Sequence, residues 1–169
     1  MEEAGKMLIA KTINKLSDFL DSVCSKLIIV ILAVMVATTS LQIISRVFFS
    51  ALSWSEELTR YLLVYLTFLG ASSVYKKKGH ISVLALQQLL PPVFQKVVSI
   101  LVIVLSGVFF SMATFYGLKY MGLQGSQLSA ALRIPMKYIY MSIPVGFSIM
   151  ILHSIDSIIK IVIEKEGDK

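Results

Sequence analysis

Glu56 and Glu57 stand side by side at the edge of an apolar run, and nothing else between Asp21 and Asp156 is acidic. Paired carboxylates serve acid–base chemistry or cation binding when an apolar setting shields them. His153 and Asp156, three residues apart and so on one face of a helix, form the second combination with chemistry in it, a proton relay. Cys24 is the only cysteine, which excludes an intramolecular disulfide and any thiolate metal cluster. His80 directly follows Lys76, Lys77 and Lys78 and reads as an interfacial anchor. No serine, histidine and acid are spaced to suggest hydrolysis. No catalytic residue, cofactor-binding set or metal-binding set is assigned, and the chain is not read as an enzyme.

The elements that must carry these residues are membrane helices. Of the 169 residues, 56% are hydrophobic, beyond the roughly 45 to 50% of soluble domains. A hydrocarbon core of about 30 Å takes roughly 20 apolar residues in helix, and four windows meet that need, about 27–49, 58–75, 97–118 and 138–160. They predict an all-α integral membrane protein, a single domain over 1–169. Ahead of the first span, residues 6–25 place Ile9, Ile13, Leu16, Leu20 and Val23 at helical spacing with Lys11, Asn14, Lys15 and Asp18 between them. That pattern predicts an amphipathic helix lying in the headgroup layer as an anchor. Pro91 and Pro92 interrupt the apolar stretch after Lys78 and predict a helix restarting at Pro92.

The net charge of +6 is distributed by side of the membrane and leaves little for a nucleic-acid partner. Lysines 6, 11, 15, 26, 76, 77, 78, 96, 160, 165 and 169 fall on one side, and Arg46, Arg60, Lys119, Arg133 and Lys137 on the other. By the positive-inside rule both termini are cytoplasmic. Trp54, Tyr61, Tyr116, Tyr120, Tyr138 and Tyr140 then gather at the outer face as an aromatic belt. Close helix packing is expected at Ala33 with Ala37, Gly70 with Ala71 and Ser73, Gly107 with Ser111, and Ser142 with Gly146.

With the spans in place, the two glutamates acquire structural roles. Ser53 to Glu56 has the S-x-x-E form of a capping box, and Glu57 in the same turn suits the helix dipole. Glu56 and Arg60 are an i,i+4 pair. Arg46, late in the first span, has only Glu56 or Glu57 as acidic neighbours on its side, so an Arg46–Glu57 clasp between spans one and two is expected. At the opposite side Asp156 pairs with Lys160 at i,i+4, which favours an interfacial ion pair with His153 nearby over a relay.

The run "QIISRVFF" followed by "WSEELTRYLLVYLTFLGASSVYKKKGH" resembles the small membrane subunit, the DctQ-like family, of tripartite ATP-independent periplasmic (TRAP) transporters. The resemblance rests on Arg46, Phe48 or Phe49, Trp54, Glu56, Glu57, Arg60, Leu69, Gly70, Lys76, Lys77, Lys78 and His80. The stretch "QLSAALRIPMKYIYMSIPVGF" adds Ile134, Pro135, Pro144 and Gly146. It implies a four-span subunit of the bacterial inner membrane, without cofactor. Its partners would be the lipid bilayer, the large TRAP membrane subunit in a heterodimer, and a periplasmic substrate-binding protein. The implied role is a non-catalytic support for sodium-coupled uptake of organic anions such as C4-dicarboxylates, sialic acid or other sugar acids. The spans carry no charge near their middles, which argues against an autonomous small transporter. A membrane scaffold for an unrelated complex is the remaining alternative.

Overall fold

The computed structural model describes residues 2–77 and 91–167. Its elements are α1 (Glu2–Phe48), α2 (Ser53–Lys76), α3 (Pro92–Leu123), a single turn α4 (Lys137–Tyr140) and α5 (Ser142–Gly167). The described residues contain no strand, only an isolated antiparallel bridge between Leu128 and Pro135. Three stretches are long and apolar enough to cross a bilayer: Ala10–Phe48, Val97–Leu123 and Lys137–Ile161, the last formed by α4 and α5 together. Lys78 and His80 lie outside the described residues, as does the rest of the apolar stretch up to Leu90. The restart at Pro92 is observed, with Pro91 as the N-cap of α3.

The segment expected to lie apart in the headgroup layer is instead the first half of α1, a single helix of 47 residues. Laying residues 6–25 flat would need a sharp kink, and between Lys6 and Phe48 there is neither proline nor glycine to make one. The amphipathic row is only partly the face that packs: Ile13, Leu20 and Val23 are half-buried, and the most deeply buried positions lie outside it. Ser17 and Cys24 are buried at 0% and 2% exposure, whereas Leu16 and Phe19 stand 47% and 63% exposed. Lipid gives no reward for burying leucine, so small and polar groups that can bond across a helix pair take the interior.

α5 is the central helix and packs against α1, α2 and α3. α2, α3 and α5 meet in a cluster of Tyr75, Phe110 and Met150, with Phe147 and Ile151 against it. Tyr75 and Phe110 meet edge to face with ring centres 5.0 Å apart, and Phe68 meets Phe147 at 5.6 Å. These rings join α2 and α3 to α5. Most of the large apolar side chains of α1 and α3 face outward, among them Ile29, Val36, Ile43, Leu105, Phe109 and Phe115.

Helix spacing is set by glycine in two places. A Cβ on Gly146 would come within 2.8 Å of Phe68 Cβ, so α5 and α2 nearly touch backbones there. One on Gly117 would meet Ile143 at 3.0 Å, which seats α3 on the start of α5. Of the expected small-residue pairs, Ser142 with Gly146 is a packed contact and Ser73 is buried. Ala33 and Ala37 are exposed, and a Cβ on Gly70 or Gly107 meets nothing within 4 Å.

Candidate functional site

Polar side chains collect at the two ends of the bundle. One end is built around Glu57, the other around His153.

α2 begins at Ser53 with Leu52 as its N-cap and no side-chain cap, so the expected capping box does not form. The helix starts too early for it: Ser53 already lies inside the first turn, and Ser55 turns its hydroxyl back to donate to Leu52 O at 2.7 Å. Glu56 accepts from Gln42 Nε2 at 3.1 Å, which links α1 to α2, and its other oxygen lies 3.8 Å from Arg60 as the i,i+4 spacing requires. Trp54 is partly exposed beside them.

Glu57 reaches further. Its carboxylate accepts from three consecutive backbone N–H groups of the loop between α3 and α4, Ala130 at 3.0 Å, Ala131 at 2.8 Å and Leu132 at 2.8 Å, and from Tyr61 OH at 2.5 Å. The loop itself is a tight hairpin: Ser129 N donates to Ile134 O at 2.9 Å and Met136 N to Gln127 O at 2.8 Å, with Pro135 paired opposite Leu128. Arg133 closes it with φ 56°, the left-handed region that costs a non-glycine residue energy. Tyr65 OH donates to Tyr138 O just beyond the loop, and the Tyr120 and Tyr140 rings pack at 4.8 Å.

The expected Arg46–Glu57 clasp is therefore corrected. Among the described residues Arg46 makes no ion pair and is exposed, while Glu57 is spent on the loop. Three aligned N–H donors and a phenol satisfy a carboxylate as fully as an arginine, and Arg46 points outward from α1. Replacing Arg46 with Ala should then shift the unfolding midpoint in detergent negligibly, within about 0.5 kcal/mol.

Tyr61 above all, then the loop N–H groups, hold the Glu57 carboxyl well below its ordinary value of 4.5, at about 2. A lowered folded value means the anchor is at full strength above pH 4.5 and is lost as pH falls from 4.5 toward about 2. Protection of the Ala130, Ala131 and Leu132 amides, taken relative to their intrinsic exchange rates, should be full at pH 5 and fall as pH drops through that window. In Glu57→Gln those amides should exchange fast at every pH.

At the other end α1 is stitched to its neighbours. Ser17 Oγ donates to Asp156 Oδ2 at 3.3 Å and lies 2.8 Å from His153 Nδ1, with all three residues buried. A hydroxyl has one proton; given to Asp156, it leaves His153 Nδ1 to donate in turn. Asp156 also accepts from Lys160 at 2.8 Å, the local pair read from the sequence. Ser73 donates to Asp21 at 2.6 Å, Lys76 to Asp18 at 2.7 Å, and Tyr75 shares a 2.7 Å bond with Ser154. Ser17 and Asp21 were given no role by sequence, and Asp18 and Ser73 only a place on a polar face and in a small-residue group; the signal for the α1 residues was a polar set at 17, 18 and 21, three and four apart. Lys77 is exposed just past the end of α2.

Of the sequence candidates, the structure thus brings Trp54, Glu56, Glu57, Arg60 and Pro135 to one end with Arg46 at its rim. Gly146 lies at the helix contact midway, and Gly70 is unpacked toward the end that holds Lys76. Among the described residues no group of three His, Cys, Asp or Glu side chains could hold a metal ion.

Long apolar helices exposing their greasy faces, with ionisable groups drawn to the two ends, define a multi-pass membrane protein. The chain belongs to the family of tripartite ATP-independent periplasmic transporters, DctQ component, whose pattern matches residues 35–163. It is 32% identical over 148 residues to the sialic acid TRAP transporter permease protein SiaT of Haemophilus influenzae (strain 86-028NP), a match covering 87% of this chain and 23% of SiaT. Two TRAP transporter small permease proteins of Haemophilus influenzae (strain ATCC 51907 / DSM 11121 / KW20 / Rd) are also similar. One is 36% identical over 85 residues, covering 50% of this chain and 53% of the relative. The other is 27% identical over 129 residues, covering 76% and 78%. The chain thus spans less than a quarter of SiaT and about half of the first small permease.

Proposed function

We propose that this chain is the small, non-catalytic membrane subunit of a TRAP transporter, working beside a large membrane subunit in ion-coupled uptake of organic anions delivered by a soluble binding protein. One observation carries the reading: nearly all of this chain matches less than a quarter of SiaT, so in that permease the same module is continuous with a much larger one. A module fused to a large permease in one relative and named a small permease in others works next to it in both. SiaT's name makes sialic acid the first substrate to try, with other sugar acids and dicarboxylates after it. We take α2 as the fourth span, because its Glu57 end meets the loop before α4 while its Lys76 end meets Asp18 at the opposite end of the bundle. Its 24 residues rise about 36 Å, enough to cross. Four crossings put both ends of the chain on one side of the inner membrane, and the lysine excess on that side supports its being the cytoplasm, with the Glu57 end outside.

The test is purification of the tagged chain in mild detergent from its own operon, followed by mass spectrometry. A much larger polytopic membrane protein in equal amount is the expected result. Recovery as a self-oligomer that transports alone in liposomes would overturn the reading.

A further inference from the structure

The Glu57 end is strongly basic, and its acids are already engaged. Arg46, Arg60, Lys119, Arg133 and Lys137 are all exposed there. Against them stand only Glu56, bonded to Gln42 and near Arg60, and Glu57, bonded to the loop. Arg133 differs from the other four in its placement. They sit on helix turns, whereas Arg133 is in the turn of the hairpin over 127–136, next to the residues that bond Glu57, and among the described residues it has no ion-pair partner.

It is also held there against a conformational cost. A φ of 56° is unfavourable for arginine, and a free loop would relax it. What prevents relaxation is the short hairpin ladder and, from outside the loop, the Glu57 carboxylate across the preceding N–H groups. A glycine at 133 would take this backbone without strain, so the side chain, and not the turn, requires explanation.

We propose that Glu57 is a positioning residue: by locking residues 130–132 it fixes the hairpin that presents Arg133 as the contact for an acidic face on a water-soluble protein. This rests on the reading above, in which that end faces a soluble binding protein, and adds the residue that meets it and the residue that holds it in place. Charge complementarity selects the partner, since a rim with five cations and two engaged carboxylates attracts an acidic surface and repels a basic one. A guanidinium held on a stiff turn suits the fixed acidic side chains of a folded protein better than a mobile lipid headgroup. The carboxylate holding the loop also keeps its charge to low pH, so the presentation is the same across the range in which a cell envelope operates.

The test uses the purified permease complex in nanodiscs and the cognate binding protein as soluble analyte, reading association rate, dissociation rate and their dependence on salt. Arg133→Gly keeps the backbone and removes the charge, and should slow association about fivefold and flatten its decline with salt, leaving dissociation nearly unchanged. Arg133→Glu should slow it about tenfold or more. Glu57→Gln places an amide donor against the loop N–H groups and should approach the Arg133→Gly rate. Glu57→Asp keeps the charge with a shorter reach and should fall between that rate and the wild type. Equal thermal midpoints for wild type and Arg133→Gly separate lost contact from lost fold. Wild-type association in both Arg133→Gly and Glu57→Gln overturns the proposal and leaves the transporter reading intact. So does an Arg133→Gly complex that changes only its stabilisation by anionic lipid. No association by the wild-type complex overturns the binding-protein reading and this proposal together.

Discussion

Gly146→Leu should abolish a stable bundle or lower its stability by about 3 kcal/mol or more, read as loss of the thermal transition of the detergent-purified chain or complex. The cause is backbone proximity. Even a methyl on residue 146 would stand 2.8 Å from Phe68 Cβ and 3.3 Å from Phe68 O, and neither atom can swing aside as the tip of a long side chain would. α2 and α5 would have to part, opening the Phe68–Phe147 edge contact and the Tyr75–Ser154 bond below it. The controls are built into the molecule. Gly70→Ala and Gly107→Ala put a methyl into open space within helices, and each should be neutral or stabilise by about 0.5 to 1 kcal/mol. If Gly146→Leu leaves the transition unmoved, the close approach of α2 and α5 is wrong.

His153→Ala should cost about 3 kcal/mol and should act mainly on α1. His153 is the largest of the fully buried side chains, and its removal leaves a void between α1 and α5. It also strips Ser17 of the group donating to it, while Asp156 remains buried beside Lys160. Interhelical bonds inside membranes average only about 0.6 kcal/mol, so the void supplies most of the loss. His153→Asn keeps a donor near the Nδ1 position and part of the volume, and should recover roughly half. Amide exchange should locate the effect, with faster exchange in α1 around Ser17 to Cys24 and little change at the Glu57 end. Uniform loosening of the whole bundle would show that this seam is not a separate fastening.

Much of this architecture is legible in the residues themselves. Apolar length marks Ala10–Phe48, Val97–Leu123 and Lys137–Ile161, and the two prolines before Val93 start α3 where their chemistry requires. The pairs four apart, Glu56 with Arg60 and Asp156 with Lys160, form because one helical turn brings them together whatever surrounds them. The motifs around Arg46 to Gly70 and Ile134 to Gly146 pointed to the family that the full comparison shows.

What the tertiary structure alone decided is every choice made across helices. Arg46 and Glu57 share a side of the bundle, yet Glu57 turned to backbone donors some 75 residues away, since a loop's N–H groups leave no mark in side-chain identity. Of the apolar row Ile13, Leu16, Leu20 and Val23, the structure half-buries three and exposes Leu16, and it seats Ser17, outside the row, against a histidine 136 positions on. In water the leucines would have been driven inward. In a bilayer lipid accepts them as readily as protein does, so apolar pattern states that a helix crosses and stays silent on which face turns inward. That falls to the few polar and small side chains, whose partners lie on other helices and are fixed only when the bundle assembles.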